Sequence, residues 1–131
     1  MGRAQIFDYD LQTKLEPYLK DYRPLPSIYY PDFIASNQAD RADNLIPGNE
    51  KWEHLSAIRS DIASFRHEKK LDKVIVLWTA NTERFCEVND YHKNADSLLE
   101  AIKRSEAEVS ASTVYACATI LEGCSYINGS P

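Results

Sequence analysis

The amino-acid sequence predicts an α/β fold, a parallel sheet with helical crossovers. Two observations carry that reading. Segments with helical apolar spacing alternate with short apolar runs, the pattern of strand–helix–strand units. One run, Val74-Ile-Val-Leu-Trp78, is continuously apolar rather than alternating. Such a run, bounded by charge, reads as a strand buried on both faces of a parallel sheet. The chain of 131 residues reads as one domain, 1–131, and an apolar fraction of 44% is enough for a core. About three strands are expected, few for a covered sheet. The chain also stops at Gly129-Ser130-Pro131, beside what reads as the mouth of a site. Both features suggest a piece of a larger domain, with sheet edges and apolar helix faces left uncovered.

Leu11, Leu15 and Tyr18, with Phe7 one turn earlier, predict an amphipathic helix from about Tyr9 to Tyr22. Pro24 and Pro26 stop it. Ser27-Ile-Tyr-Tyr30 has the composition of a short strand, closed by Pro31. Asp32 to Gly48 is a polar connection, with a helical turn expected around Phe33–Gln38. Its run from Asn37 to Asn44 carries more hydrogen-bonding groups than a linker requires. Leu55, Ile58, Ile62 and Phe65 mark the apolar face of a helix from about Glu50 to Lys69. Arg59, Asp61, Glu68 and Lys69 form its solvated face. The strand Val74–Trp78 follows. Asn94 to Lys103 reads as a helix with Ala95, Leu98, Leu99 and Ile102 facing inward. Ser110 or Ser112 caps a further helix that runs to about Glu122 and ends at Gly123. Ser125-Tyr-Ile127 is the last strand.

Composition limits the function classes. A net charge of −5 argues against a nucleic-acid footprint and against a polybasic membrane patch. No apolar stretch approaches the roughly 20 residues that span a bilayer, and Met1 to Asp8 lacks the apolar core of a secretory signal. A soluble, cytoplasmic protein is expected. Cys86, Cys117 and Cys124 are odd in number and form no C-x-x-C pair, so no disulfide framework is expected. Cys117 reads as a small core residue. His54, His67 and His92 read as surface histidines, and no metal site is expected. The glycines Gly2, Gly48, Gly123 and Gly129 build neither G-x-G-x-x-G nor a phosphate-binding loop.

Chemistry is expected where the apolar run ends. In open α/β sheets ligands sit beyond the carboxyl ends of the strands. Thr79-Ala80-Asn81-Thr82 offers hydroxyls, an amide and a small residue there. On spacing alone, an ordinary strand ending in a turn accounts for the same residues.

Longer strings are more specific. Val74 to Phe85 resembles the strand-and-loop signature of inositol-3-phosphate synthase (myo-inositol-1-phosphate synthase). So do Leu121-Glu-Gly-Cys-Ser-Tyr-Ile-Asn-Gly-Ser-Pro131, Pro31-Asp-Phe-Ile-Ala-Ser-Asn-Gln38 with Arg41-Ala-Asp-Asn44, and Phe7-Asp-Tyr-Asp-Leu-Gln12. The strings occur in the family's order and cover essentially the whole chain. The resemblance implies a partial Rossmann-type domain that uses NAD as cofactor. It implies conversion of glucose 6-phosphate to inositol 3-phosphate by oxidation at C5, intramolecular aldol closure onto C1, and reduction. Holding both ends of one sugar phosphate in ring-closing geometry would supply much of the rate. A homo-oligomer, tetrameric in the family, is implied, with no nucleic-acid or membrane partner.

The resemblance also implies site residues. Thr79, Ala80, Asn81 and Thr82 fall on the family's cofactor loop. Gly129 and Ser130 fall on a second cofactor turn. Ser27 and Ile28 match contacts near the adenine–ribose end. Gln38 and Arg41 match two more, and Arg41 suits a phosphate. Without the resemblance, Arg41 reads as a surface ion pair with Asp40 or Asp43. The segment Asp90–Asn94 departs from the family pattern and is expected to alter a surface turn. The family's glycine-rich phosphate turn and ribose-binding acid would fall before Met1, and its catalytic region and tetramer-forming sheet after Pro131. No catalytic residue is carried over, and Lys93 and Lys103 sit in surface contexts.

Overall fold

The computed structural model describes residues 6–130. Met1 to Gln5 and Pro131, which belong to segments discussed above, lie outside the described residues. Four α-helices and two strands make up the regular structure among the described residues: α1 (Tyr9–Leu19), α2 (Lys51–Glu68), β1 (Ile75–Trp78), α3 (Ala95–Lys103), α4 (Ala111–Leu121) and β2 (Ser125–Asn128). The strands pair in parallel, from Ile75 opposite Ser125 to Trp78 opposite Asn128. The connection between them passes through α3 and α4, as parallel pairing requires. This is a partial Rossmann-type arrangement.

Helix ends follow from local chemistry. Asp8 caps α1 by accepting from Leu11 N–H at 2.7 Å, and Asn94 caps α3 by accepting from Ser97 N–H at 2.9 Å. Ser110, the first of the two expected caps, holds the start of α4 through Thr113 N–H. Gly123 at φ +66 closes α4 in a left-handed turn, with Cys124 N–H on Thr119 O at 3.0 Å. The cap of α2 is tertiary: Lys51 N–H donates to the Ser105 hydroxyl, which itself donates to Glu50. Helix α1 ends three residues before the expected Tyr22, at Leu19. Pro17 removes a hydrogen bond from its last turn, and the helix buries no residue that could hold a longer one in place.

The core lies between α2, α3, α4 and one face of the sheet. Leu55, Ile102, Val109 and Val114 are fully buried, with Ile58, Ala118 and Trp78 beside them. Val76, Trp78 and Tyr126 face this layer. The expectation that β1 is buried on both faces is corrected here. Ile75, Leu77 and Ile127 on the opposite face are 63%, 57% and 50% exposed. Among the described residues no second layer covers them. The apolar stripe of α1 likewise stays in solvent, with Tyr18 exposed, and Phe65 on α2 is exposed too.

The third expected strand does not form. Ser27 makes a single parallel bridge to Leu45, through Ser27 N–H to Asn44 O and Ile46 N–H to Ser27 O. The chain then turns away in a short 3-10 turn, Pro31–Phe33, closed by Phe33 N–H on Tyr30 O. A second 3-10 turn covers Ser36–Arg41, so the helical turn expected around Phe33–Gln38 is split in two.

Truncating Ile102 is therefore expected to cost about 2–5 kcal/mol, and Ile120→Ala, on the exposed side of α4, less than about 0.5 kcal/mol. Chemical denaturation of both variants checks this. Equal costs would misplace the core.

Candidate functional site

The site is built where the two strands end. Gly129 N–H donates to Trp78 O at 2.8 Å, adding one rung beyond the ladder. A Cβ on Gly129 would stand 3.2 Å from that same oxygen, and 3.6 Å from side-chain atoms of Leu77 and Thr79. A larger residue would push the two strand exits apart. The Ser130 hydroxyl donates to Ala80 O, and Ser130 N–H to Asn128 Oδ1 at 3.0 Å. These bonds fasten the Gly129-Ser130 turn to the loop Thr79–Thr82, which has no regular structure of its own.

A second fastening comes from the 3-10 turn Ser36–Arg41. Residues three apart lie on one side of such a turn, so Gln38 and Arg41 act together. Arg41 Nη1 and Asn81 Nδ2 both donate to Gln38 Oε1, at 3.1 and 3.3 Å. Arg41 forms no ion pair with Asp40 or Asp43. A pocket of about 140 Å³ lies between these elements. Its wall includes Ile28, Gln38, Arg41, Ala80 and Asn81 from the sequence reading. Gly129 and Ser130 adjoin it through their bonds to Trp78 and Ala80. Thr79 and Thr82 are exposed on the loop and do not line it. Ser27 is engaged elsewhere, its hydroxyl 2.8 Å from Tyr115 Oη.

The remaining wall was not foreseen from the sequence. Tyr29, Tyr30, Trp78 and Glu83 also line the pocket. Tyr29 Oη is buried without a hydrogen-bond partner among the described residues, and such a group calls for one. The Tyr30 hydroxyl donates to His54 Nδ1 at 3.0 Å, and His54 Nε2–H donates to Gly48 O at 3.1 Å. Burial, then the charge of Glu83, raises the Tyr30 pKa, so this phenol stays a neutral donor. His54 is thus a satisfied core residue and not the expected surface histidine.

Behind the pocket, two cations hold backbone in place. Lys51 is buried. Its ammonium donates to Glu106 O and Val109 O at 2.7 Å each and lies 4.8 Å from the Tyr30 ring centroid. Burial lowers its pKa, and the carbonyls offset the cost of burying the charge. Arg84 forks onto Glu108 at 2.8 and 2.9 Å, donates from Nε to Asp32 O, and stacks 4.3 Å from the Phe33 ring centroid. The segment Asp90–Asn94, expected to alter a surface turn, is tied to the same place. His92 is half-buried, takes Asn89 N–H on Nδ1, and donates from Nε2 to Glu108 O at 3.2 Å. Cys86 also points at Glu108 O, 2.5 Å away. Burial pushes the Cys86 thiol up, so its 3.9 Å approach to His92 is not a nucleophile–base pair.

These residues fit part of a dinucleotide. The wall offers a guanidinium, two amides and apolar and aromatic surface, the mix that holds a nucleoside. Ligand pockets run to about 300–1,000 Å³, so 140 Å³ takes only one portion.

The Arg84–Glu108 fork has a pH signature. Arg84 holds the Glu108 carboxyl down to about 2, from an ordinary 4.5. A depressed carboxylate stabilises the fold above its ordinary value and loses that contribution as pH falls toward its folded value. Glu108→Gln should therefore lower the melting temperature near neutral pH, with the gap to the parent closing between about pH 5 and about pH 2. Melts across that range check this; a constant gap would exclude the ion pair as its origin.

Three comparisons bear on this geometry. Residues 1–131 match the NAD-binding family model described as myo-inositol-1-phosphate synthase. The chain is 56% identical to inositol-3-phosphate synthase 1 of Rattus norvegicus and 51% identical to inositol-3-phosphate synthase of Saccharomyces cerevisiae. Each match covers 100% of this chain and 23% or 26% of the relative. The crystal structure of inositol-3-phosphate synthase from Caenorhabditis elegans has a TM-score of 0.97 and 57% identity, covering 100% of this chain and 26% of that one. The chain thus spans about a quarter of the length of the relatives it matches. It belongs to the myo-inositol-1-phosphate synthase family, through that family's NAD-binding domain.

Proposed function

We propose that this chain supplies part of the NAD site of an inositol-3-phosphate synthase, an isomerase that converts glucose 6-phosphate to inositol 3-phosphate for inositol and phospholipid synthesis. Residues 1–131 act as a single, incomplete NAD-binding domain. The parent enzyme works in the cytoplasm as a homo-oligomer, a tetramer in the family, without nucleic-acid or membrane partners. The observation that supports this best is the convergence of Ile28, Gln38, Arg41, Ala80 and Asn81 on one pocket at the end of β1, with Tyr29 Oη unpartnered among the described residues in the same region.

NAD, when bound, supplies the hydride acceptor and donor. The residues of this chain bind and orient. Asn81 and Gln38 offer amide donors and acceptors, and Arg41 a cation for phosphate or ribose oxygens. Ala80 and Gly129 allow close approach of the backbone, and Ser130 holds Ala80 O in place. Thr79 and Thr82 stand exposed at the two ends of the loop, available to the portion of ligand outside the pocket. Ser27 fixes Ile28 through its bond to Tyr115. None of these groups is assigned proton transfer.

Asn81→Ala in a full-length synthase bearing this segment should weaken NAD binding about tenfold, the effect of one lost hydrogen bond. Unchanged affinity and turnover would remove the loop from the site. A second reading, a non-catalytic fragment that binds partner subunits, is favoured by the exposed apolar face Ile75, Leu77 and Ile127. Calorimetric titration of the 131-residue chain with NAD tests the second reading. Weak or no binding is expected, since a pyrophosphate needs a helix N-terminus or similar backbone donors. Micromolar binding would rule out the second reading.

A further inference from the structure

Glu83 lines the pocket, yet both of its oxygens are engaged by Ser112 at the start of α4. One accepts from Ser112 N–H at 3.1 Å and the other from the Ser112 hydroxyl. We propose that Glu83 is a positioning residue that sets the shape of the Thr79–Thr82 loop, and so the reach of Ala80 and Asn81 toward the cofactor. The inference rests on the function proposed above.

The loop is exposed and irregular, so its shape depends on its anchors. Upstream, β1 and the Ser130–Ala80 bond hold it. Downstream, the first fixed point is Glu83. Its carboxylate sits on the first turn of α4, where free N–H groups and the helix dipole favour a negative charge. That helix is a rigid support, because Val114 and Ala118 are fully buried. The next residue, Arg84, is anchored in another direction, by its N–H on Phe33 O at 2.8 Å and its fork on Glu108. Adjacent residues pinned to different elements leave the loop little freedom.

Glu83 is not needed simply to start α4. Ser110 already caps that helix, with its hydroxyl accepting from Thr113 N–H at 3.2 Å. Loss of the Glu83 bond therefore falls mainly on the loop.

The test compares Glu83→Ala, Glu83→Gln, Asn81→Ala and the double variant Glu83→Ala/Asn81→Ala in a full-length synthase bearing this segment. The expected result for Glu83→Ala is a KM for NAD raised about tenfold, with kcat at saturating NAD within about twofold. Glu83→Gln keeps an acceptor oxygen and should recover most of the loss. Because Glu83 acts through Asn81, its replacement should add less than about threefold in the Asn81→Ala background. A lowered melting temperature with unchanged KM would mark a purely structural role and overturn the inference. So would fully additive effects in the double variant. An unchanged KM for Asn81→Ala overturns the proposed site, and this inference with it. Should Glu83→Ala not fold, Glu83→Asp, whose carboxylate is one methylene short of Ser112, is measured instead, and an unchanged KM again overturns the inference.

Discussion

Parallel pairing of β1 with β2 is the constraint on which the site depends. Parallel strands end at the same rim, whereas an antiparallel pair would send the two exits to opposite sides. The register sets Trp78 against Asn128, so the residues that follow each strand meet at once. Gly129 N–H reaches Trp78 O, and the Ser130 hydroxyl reaches Ala80 O. A shift of β1 by one residue would turn its core-facing side chains to the opposite face. It would remove Trp78 from the core and carry Gly129 away from the Trp78 oxygen, which a Cβ at position 129 would crowd at 3.2 Å.

Around that rim, charged side chains do the work that regular structure does not. Lys51, Glu83 and Arg84 each bond to backbone atoms of a different element. Together they join α2, the start of α4, the turn at Pro31–Phe33 and the stretch from Glu106 to Val109. Single surface ion pairs contribute little, but a cation on buried carbonyls is different, since removing it strands their hydrogen-bonding capacity. The pocket wall is therefore held by polar bonds as much as by packing.

The exposed apolar surface has a place in the same account. One sheet face and the stripe of α1 stay in solvent, and both edges of the two-stranded sheet are open among the described residues. Isolated apolar side chains on a surface are ordinary, but a contiguous face marks a contact surface. The chain spans about a quarter of its relatives' length, and a parallel sheet in a longer α/β protein is covered on both faces.

Elements governed by local chemistry were legible in the sequence. The periodicity of α2 and α3, a serine cap at Ser110 or Ser112, the Gly123 stop and the apolar run of β1 all rest on neighbours within a few residues. The strings around Asn81 and Gly129 carried the family and its NAD-binding domain. Elements governed by distant partners were not legible. Ser27–Tyr30 has strand composition but finds only Leu45 to pair with. Lys51 and His54 look like surface residues until Val109, Glu106, Tyr30 and Gly48 close around them. Glu83 and Arg84 stand in the informative string, but only their distant partners, Ser112 and Glu108, reveal them as anchors. Sequence alone determined where α2, α3, α4, β1 and β2 lie, because those choices are made over a few residues. Tertiary structure decided which side chains share the pocket, because that depends on bonds between residues tens of positions apart.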